Sequence, residues 1–222
     1  MKIIARIHTS FNEKFGIPRQ SGIVEGTIGE IVFEPEYRNE QALRGIEGYS
    51  HLWLIWKFSE AERDEWSPTV RPPRLGGNKR IGVFATRSPF RPNPIGLSSV
   101  KLLGVNRTKD GVTLTVSGID MLDGTPIYDI KPYLAFTDSH PDAVCGFSDE
   151  VKDYKVKVDF PEKLLKKIDE GDRGAILEIL AQDPRPSYKN GKDQDNEYGM
   201  SYGKYEIKFK VSSDTLTVTE VN

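Results

Sequence analysis

YSHLWLIWKF, residues 49–58, is the stretch that sets the expected fold class. Aromatic and branched apolar side chains favour strands, and a run with so few polar residues is typical of a strand buried on both faces. Shorter runs of strand-forming residues, separated by clusters of Gly, Pro, Asn and Asp, lie at residues 26–34, 80–86, 97–105 and 111–118. Many short strands at this spacing favour a closed barrel or a sandwich over a doubly wound α/β sheet.

The pattern changes in the last third of the chain. Apolar and polar residues alternate over residues 154–158 and again over residues 205–211. Helix formers fill much of the stretch between them, and Gly171 and Gly174 interrupt the helical pattern. The chain is therefore predicted to be mainly β, with a barrel-like N-terminal domain at residues 1–145 and a small α+β C-terminal domain at residues 150–222.

Composition limits the class of protein. The chain has 222 residues, 31 basic and 33 acidic side chains and a formal net charge of −2, which argues against indiscriminate nucleic-acid binding but leaves room for a local basic face. Cys145 is the single cysteine, so an internal disulfide and a cysteine-based metal cluster are excluded, and we expect it to be a partly buried small residue. The first apolar run is too short for a signal peptide and no run suits a membrane span, which predicts a cytoplasmic protein.

A basic segment, RPPRLGGNKRIGVFATRSPFRPNPIGLSSVK (residues 71–101), carries seven basic residues and no acidic one. Its five prolines and four glycines set backbone geometry rather than fill a core. Uncompensated positive charge on such a frame suits an anion held in one pose, and phosphate is a common one. Phe84 and Phe90 flank Arg87, so aromatic surface and guanidinium alternate as base stacking with phosphate contact requires.

Three shorter motifs sit where loops meet strands. IPRQSG (residues 17–22) offers donors beside a stiff proline, and the Ser59–Glu60 pair lies at the exit of the aromatic strand. IDMLDGTPIYDIKPY (residues 119–133) contains an Asp-Gly turn, whose carboxylates either cap their own backbone or line a pocket for a polar small molecule. No dinucleotide fingerprint, phosphate-binding P-loop, histidine-rich metal spacing or nucleophile elbow is present, so no metal site is predicted.

Taken together, these motifs resemble a known family: the S-adenosylmethionine-dependent tRNA N6-methyltransferases that act on N6-threonylcarbamoyladenosine beside the anticodon. The resemblance runs through PRQ, GYSHLWLIWKF, VRPPRLGGN, GVFATRSPFRPNPIGLS and DGTPIYDIKPY, and continues in AQDPRPSY and EYG. It implies a barrel-like domain that binds S-adenosylmethionine, a small C-terminal domain, a homodimer and the anticodon loop of threonine tRNA as substrate. Two alternatives stay open: a cofactor-binding module that recognises RNA or a protein without methylating it, and an enzyme that methylates another acceptor.

The same resemblance implies site residues. Cofactor contacts are expected from Pro18, Arg19, Gln20, Ser59, Glu60, Arg87, Leu97, Leu122, Asp123, Gly124 and Thr125. The Ser59–Glu60 pair departs from the His-Gln of many bacterial members, so only a backbone contact there is secure. tRNA contacts are expected from Arg71, Arg74, Arg91, Arg185 and Tyr188.

The chemistry of the expected acceptor adds one requirement. The N6 nitrogen of threonylcarbamoyladenosine is conjugated to the purine and to a carbonyl, and it is a weak nucleophile while it keeps its proton. Catalysis therefore needs alignment with the methyl donor and a group that removes the N–H. Asp123 and Tyr133 are the predicted proton acceptors.

Overall fold

The structure, a computed structural model, describes residues 1–61, 65–72, 79–109, 111–150, 152–185 and 196–222. Strands dominate the first two thirds of the described chain. They are β1 (Ala5–Thr9), β2 (Ile28–Phe33), β3 (His51–Lys57), β4 (Thr69–Val70), β5 (Ile81–Gly82), β6 (Ile95–Thr108), β7 (Gly111–Ser117) and β8 (Thr125–Pro132).

Within the described residues, six of these strands close into a barrel in the order β1-β2-β7-β6-β3-β8. Every neighbouring pair is antiparallel, including the β1–β8 pair that completes the ring. Closure leaves no barrel strand with an unpaired edge. The predicted barrel is confirmed, with β1 and β8 added to the strand runs identified from the sequence.

The burial of β3 differs from the prediction. Leu52, Leu54 and Trp56 are buried inside the barrel, whereas the residues between them are only half-buried. Side chains of a strand alternate between two faces, and the outer face of this barrel is only partly covered. The aromatic content of the outer positions, such as Trp53, therefore reflects partial cover rather than a second core.

The segment at residues 80–86 was predicted as a strand, and most of it is not one. Only β5 is extended, and it pairs with the equally short β4 outside the barrel. A single 3-10 turn at Val83–Ala85 follows. The strand-forming residues here are too few to build a ladder before the Ser-Pro and Arg-Pro pairs take the chain into an irregular loop.

After the barrel come a short helix and a second sheet. In chain order these elements are α1 (Ala135–Asp138), β9 (Lys157–Asp159), α2 (Glu162–Leu165), α3 (Glu170–Ala181), β10 (Glu197–Tyr202), β11 (Tyr205–Ser212) and β12 (Thr215–Val221). Among the described residues, the second sheet has four strands in the order β10-β11-β12-β9, with β9 parallel to β12. The helix α3 runs through Gly171 and Gly174, which were expected to interrupt it, because its apolar face packs into the core.

One continuous apolar core links the barrel to the second sheet. Phe11 meets Tyr202 edge-on with ring centroids 5.4 Å apart, and Phe15 stacks on Phe209 at 6.3 Å. A Cβ atom on Gly26 would lie 3.2 Å from the backbone of Ala175 in α3. This close packing fixes the C-terminal residues against the loops that leave β1.

Two further predictions concern single features. Cys145 is exposed, not partly buried as expected, because it lies in the irregular stretch between the barrel and the second sheet. No helix among the described residues is both long enough and apolar enough to cross a membrane.

Candidate functional site

A cavity of about 800 Å³ opens at the end of the barrel where β3 ends and β6 begins. Five separate parts of the chain line it: the loop at residues 17–20, the exit of β3, the loop at residues 86–91, the turn after β7 and the Pro184–Arg185 pair. All five parts carry motifs that the sequence analysis singled out. Loops held by a rigid barrel are where binding sites are commonly built.

The barrel wall of the cavity is aromatic. Trp56 of β3 is paired with Gly96 of β6, and a Cβ atom on Gly96 would lie only 2.2 Å from the indole ring. Glycine is therefore what lets the ring lie against the β6 backbone. The pairing of β3 with β8 shifts by one residue between Ile55 and Trp56, an irregularity of the kind that re-aims a side chain. Phe58 adds a second ring with its centroid 4.2 Å from that of Trp56.

The loop at residues 17–20 is held in place from two sides. Gly22 donates its N–H to the carbonyl of Gly118 at 2.9 Å, and a Cβ atom on Gly118 would lie 3.3 Å from the Gly22 backbone. Gly118 also has φ +76°, which favours glycine. The Arg87 guanidinium donates to the Gln20 side-chain oxygen. Two motifs that lie 67 residues apart are thus joined at the cavity.

The loop at residues 86–91 braces itself. Arg91 donates from one nitrogen to the carbonyl oxygens of Thr86 and Ser88 at 3.0 and 3.2 Å. Both Arg87 and Arg91 line the cavity. Part of the Arg91 donor capacity is therefore used to shape the loop, although the sequence analysis assigned the residue to tRNA alone.

The Ser59–Glu60 pair lies in the 3-10 turn Ser59–Ala61 at the cavity rim. Lys14 donates to the Glu60 carbonyl oxygen at 2.8 Å, and its Nζ lies 3.9 Å from Glu60 Oε2. Both side chains are well exposed. Lys14 therefore holds this turn chiefly through the Glu60 backbone carbonyl.

Leu122 and Thr125 line the cavity, whereas Asp123 and Gly124 do not. The Asp123 carboxylate accepts the N–H of Thr9 at 2.9 Å and lies 3.3 Å from His8 Nδ1. This is the backbone-capping reading of the Asp-Gly turn. Gly124 has φ +73° and allows the turn that returns the chain into β8.

Tyr133 lies outside the cavity lining, next to the outer face of β3. Its ring centroid is 5.4 Å from that of Trp53 and 6.2 Å from that of His51. The structure thus brings Pro18, Arg19, Gln20, Ser59, Glu60, Arg87, Leu97, Leu122 and Thr125 to one cavity. It places the two predicted proton acceptors around it rather than in it.

Asp120 is a cavity residue that the sequence analysis did not select as a catalyst. Ser98 donates to its Oδ1 at 2.6 Å, and the Trp56 indole N–H donates to Ser98 Oγ at 2.9 Å. Burial raises the pKa of Asp120 to about 6, although the Ser98 hydrogen bond and the Arg87 charge act in the opposite direction. The available signal was a carboxylate between the apolar residues Ile119 and Met121.

Arg185 also lines the cavity, yet its side chain is almost fully buried. It binds both carboxylate oxygens of Asp183, at 2.9 and 3.0 Å, and the second oxygen also accepts from Tyr154 at 3.0 Å. The Arg185 carbonyl accepts from Arg19 at 3.3 Å, which ties the segment after α3 to the loop at residues 17–20. This arrangement makes Arg185 part of the cavity wall.

The remaining predicted tRNA residues are Arg71, Arg74 and Tyr188. Arg71 is exposed, follows β4 and is not among the residues that line the cavity. Arg74 and Tyr188 fall outside the described residues. Near Arg71, Trp66 stacks on Phe84 with ring centroids 6.0 Å apart, and the two are 53% and 72% exposed. The sequence analysis had noted Phe84 but not its partner.

Comparison with known proteins accounts for this arrangement. The family model for the tRNA-methyltransferase O N-terminal domain matches residues 6–139, and the model for the TrmO C-terminal domain matches residues 153–222. The chain belongs to the tRNA-methyltransferase O family. Membership confirms the family, the enzyme class and the barrel fold that the sequence motifs predicted.

Individual members of the family agree over nearly the whole chain. A tRNA (adenine(37)-N6)-methyltransferase from Escherichia coli is 41% identical over 215 residues, which covers 94% of this chain and 92% of the relative. A protein from Pseudomonas aeruginosa, whose name assigns it to the S-adenosylmethionine-dependent methyltransferases, is 42% identical over 90% of this chain and 85% of its own. The crystal structure of TrmO from Pseudomonas aeruginosa superimposes with a TM-score of 0.79 at 33% identity, covering 99% of this chain and 94% of that one.

Proposed function

We propose that this protein transfers a methyl group from S-adenosylmethionine to N6 of the threonylcarbamoylated adenosine at position 37 of threonine tRNA. One observation carries the proposal: motifs from residues 17–20, 59–60, 86–91 and 122–125 converge on one cavity of about 800 Å³. The names of the relatives supply the base and the methyl donor. The modification and the choice of tRNA come from the sequence resemblance.

The residues of the cavity fit S-adenosylmethionine. Trp56, Phe58 and Leu97 offer apolar surface for a purine. Arg19 and Arg87 offer guanidinium groups for a carboxylate, which arginine binds with paired donors. A small molecule with a flat base and a carboxylate therefore finds complementary groups.

When bound, the cofactor supplies a methyl group already activated by its sulfonium sulfur. The protein then has to orient the acceptor, exclude water and remove a proton. The braced loop of Arg87 and Arg91 and the buried Asp183–Arg185 pair give the cavity fixed walls. A fixed geometry shared by donor and acceptor is a large source of rate enhancement for a two-substrate reaction.

An exposed surface outside the cavity lining suits tRNA. Trp66 and Phe84 form an exposed aromatic pair, and Arg71 and Arg80 lie close to it in the chain. Aromatic faces stack unpaired bases and arginine neutralises phosphates, which together suit an anticodon loop. The target base leaves the stack of the loop at a cost of a few kcal/mol. Arginine also binds carboxylates, so the threonyl carboxylate gives this substrate a handle that unmodified adenosine lacks.

We infer that the enzyme is a homodimer and that it acts in the cytoplasm, where its tRNA substrate is available. Phe136 and Val144 support a subunit contact, because they are 85% and 92% exposed and such apolar surface is favourably covered by a second copy. Light scattering on the purified protein tests the dimer. Phe136→Asp is expected to shift the mass toward the monomer, and Lys152→Asp at an exposed neighbouring position is the control.

The function is tested on tRNA from cells that lack this gene. The purified protein and S-adenosylmethionine are incubated with this tRNA, which is digested to nucleosides and analysed by mass spectrometry. We expect the mass of one added CH2 on threonylcarbamoyladenosine, and none without the cofactor. Purified threonine tRNA is compared with another threonylcarbamoylated tRNA, and with an unmodified transcript. Methylation of the transcript at an equal rate would contradict the proposed acceptor, and cofactor binding without methylation of any tRNA would favour a binding module.

A further inference from the structure

Three polar groups form a directed chain at the cavity. Trp56 Nε1 lies 2.9 Å from Ser98 Oγ, which lies 2.6 Å from Asp120 Oδ1. An indole N–H only donates, so Ser98 accepts there and its single proton is left for Asp120. Oδ1 is therefore held as an acceptor, and a proton taken up by Asp120 belongs on Oδ2.

These three hydrogen-bonded groups, called the relay below, end at a carboxylate whose proton affinity is high. Trp56 is 5% exposed and Ser98 1% exposed, so the relay is shielded from solvent, while Asp120 keeps a partly exposed surface in the cavity. Burial raises the pKa of Asp120 to about 6. A carboxylate of this kind is charged at neutral pH and is a stronger base than an exposed aspartate.

We propose that Asp120 is the proton acceptor for methylation at N6, a role that rests on the function proposed above. Asp123 is the competing carboxylate, and it caps the Thr9 backbone outside the cavity. Tyr133 packs against Trp53 and likewise lies outside it. Asp120 is the carboxylate that combines access to the cavity with a fixed hydrogen-bond environment.

The proton transfer balances without any further reactant. As N6 attacks the methyl carbon, its electron pair forms the new N–C bond and the methyl–sulfur bond breaks, leaving its electron pair on sulfur. Positive charge develops on N6 and makes its N–H acidic. Asp120 takes this proton, so the nitrogen ends neutral and the carboxylate ends as the acid, which later returns its proton to water.

Other charges around the cavity act on the same carboxylate. Arg87 lowers the pKa of Asp120, as do the hydrogen bonds from Ser98 and from the Ser21 backbone. The remaining ionisable side chains that line the cavity are Lys14, Arg19, Lys57, Glu60, Arg91 and Arg185. Except for Glu60 at the rim they are cationic, and none of these lining residues is a histidine.

The first test is Asp120→Asn, which keeps the shape and the Ser98 hydrogen bond. Under single-turnover conditions we expect methylation to slow by about 100-fold or more, the usual contribution of a positioned base. Cofactor affinity by calorimetry is expected to stay within a few-fold. Asp159→Asn makes the same chemical change at an exposed position of β9 and is expected to alter neither value. A rate loss under tenfold, or a hundredfold loss of cofactor affinity, would overturn the role.

The second test uses pH and a neighbour. The wild-type rate is expected to rise with a midpoint near pH 6, and Asp120→Asn to lose this limb. Ser98→Ala removes a hydrogen bond that lowers the pKa of Asp120, so its midpoint should move to higher pH. Carbon-13 NMR of the aspartate carboxyls in the cofactor-free protein reads the same change without turnover. If Ser98→Ala leaves the midpoint unmoved in both the rate profile and the NMR titration, the role of Asp120 is contradicted. If the wild type methylates no tRNA, the proposed function itself is contradicted, while the NMR titration of Asp120 still stands.

Discussion

Replacing Asp120 by Asn should make the protein more stable at neutral pH. The carboxylate is held in the folded state with a pKa of about 6 against an ordinary 3.8, and burial is the main cause. Since a pKa difference of one between the folded and unfolded states corresponds to about 1.4 kcal/mol, keeping Asp120 charged at pH 7.5 lowers the free energy of unfolding by about 3 kcal/mol. Asparagine carries no charge to desolvate and still accepts from Ser98.

The sign of the pH dependence follows from the same shift. The folded state binds the Asp120 proton more tightly than the unfolded chain, so between about pH 4 and pH 6 the free energy of unfolding of the wild type falls as pH rises. Below this range both states are protonated and the cost disappears. The gain from Asp120→Asn should therefore be full above pH 6 and close to zero below pH 4.

Urea unfolding at pH 4 and at pH 7.5 measures the effect. We expect Asp120→Asn to raise the free energy of unfolding by about 3 kcal/mol at pH 7.5 and the melting temperature by roughly 5–10 °C. Asp159→Asn, at an exposed position, should change it by less than about 0.5 kcal/mol at either pH. An equal gain at both pH values, or a loss at pH 7.5, would refute the desolvation argument.

Three further predictions concern other parts of the site. Arg185→Ala removes the ion-pair partner of the buried Asp183 and should lower the free energy of unfolding by about 3–5 kcal/mol, measured by urea unfolding. Phe84→Ala together with Trp66→Ala should weaken tRNA binding by about 1–3 kcal/mol per lost base stack, with calorimetric cofactor affinity unchanged. Glu60→Ala should leave cofactor affinity within a few-fold, because the closer contact that holds this turn, from Lys14 at 2.8 Å, is made to the Glu60 backbone carbonyl; a hundredfold loss in calorimetry would assign the cofactor contact to the Glu60 side chain.

Much of the barrel was predictable because most of its strands have a recognisable local sequence pattern. The runs that became β2, β6 and β7 alternate in polarity and end at turn residues. Closure of the ring depends on the β1–β8 pair, which joins distant parts of the chain. β1 was missed because MKIIARIHTS is short and its partners, Phe33 and Ile127, lie far along the chain. The sequence predicted an interruption at Gly171 and Gly174, but α3 runs through both residues. The tertiary packing of Ile176 and Ile179 overrides the weak helix propensity of these glycines.

The cofactor residues were predictable for a different reason. They lie in unbroken motifs at residues 17–20, 86–91 and 122–125, and a motif can be matched to a family without knowledge of its geometry. Local reasoning failed where a residue's role depends on what lies across the fold. Arg185 was expected to contact RNA. Instead it donates to both carboxylate oxygens of Asp183, only two residues before it, and is buried in the cavity wall.

The relay to Asp120 marks the limit of sequence reasoning most clearly. Trp56 belongs to β3, Ser98 to β6 and Asp120 to the turn after β7, and nothing in their spacing of 42 and 22 residues relates them. The β3–β6 register, in which Trp56 faces Gly96, sets the indole beside Ser98. Because Gly96 has no side chain, the ring has room to lie against the β6 backbone while its N–H donates to Ser98. A carboxylate costly to the fold is thus kept charged at the cavity, and this is why a gain in stability and a loss of methylation are expected from the same substitution.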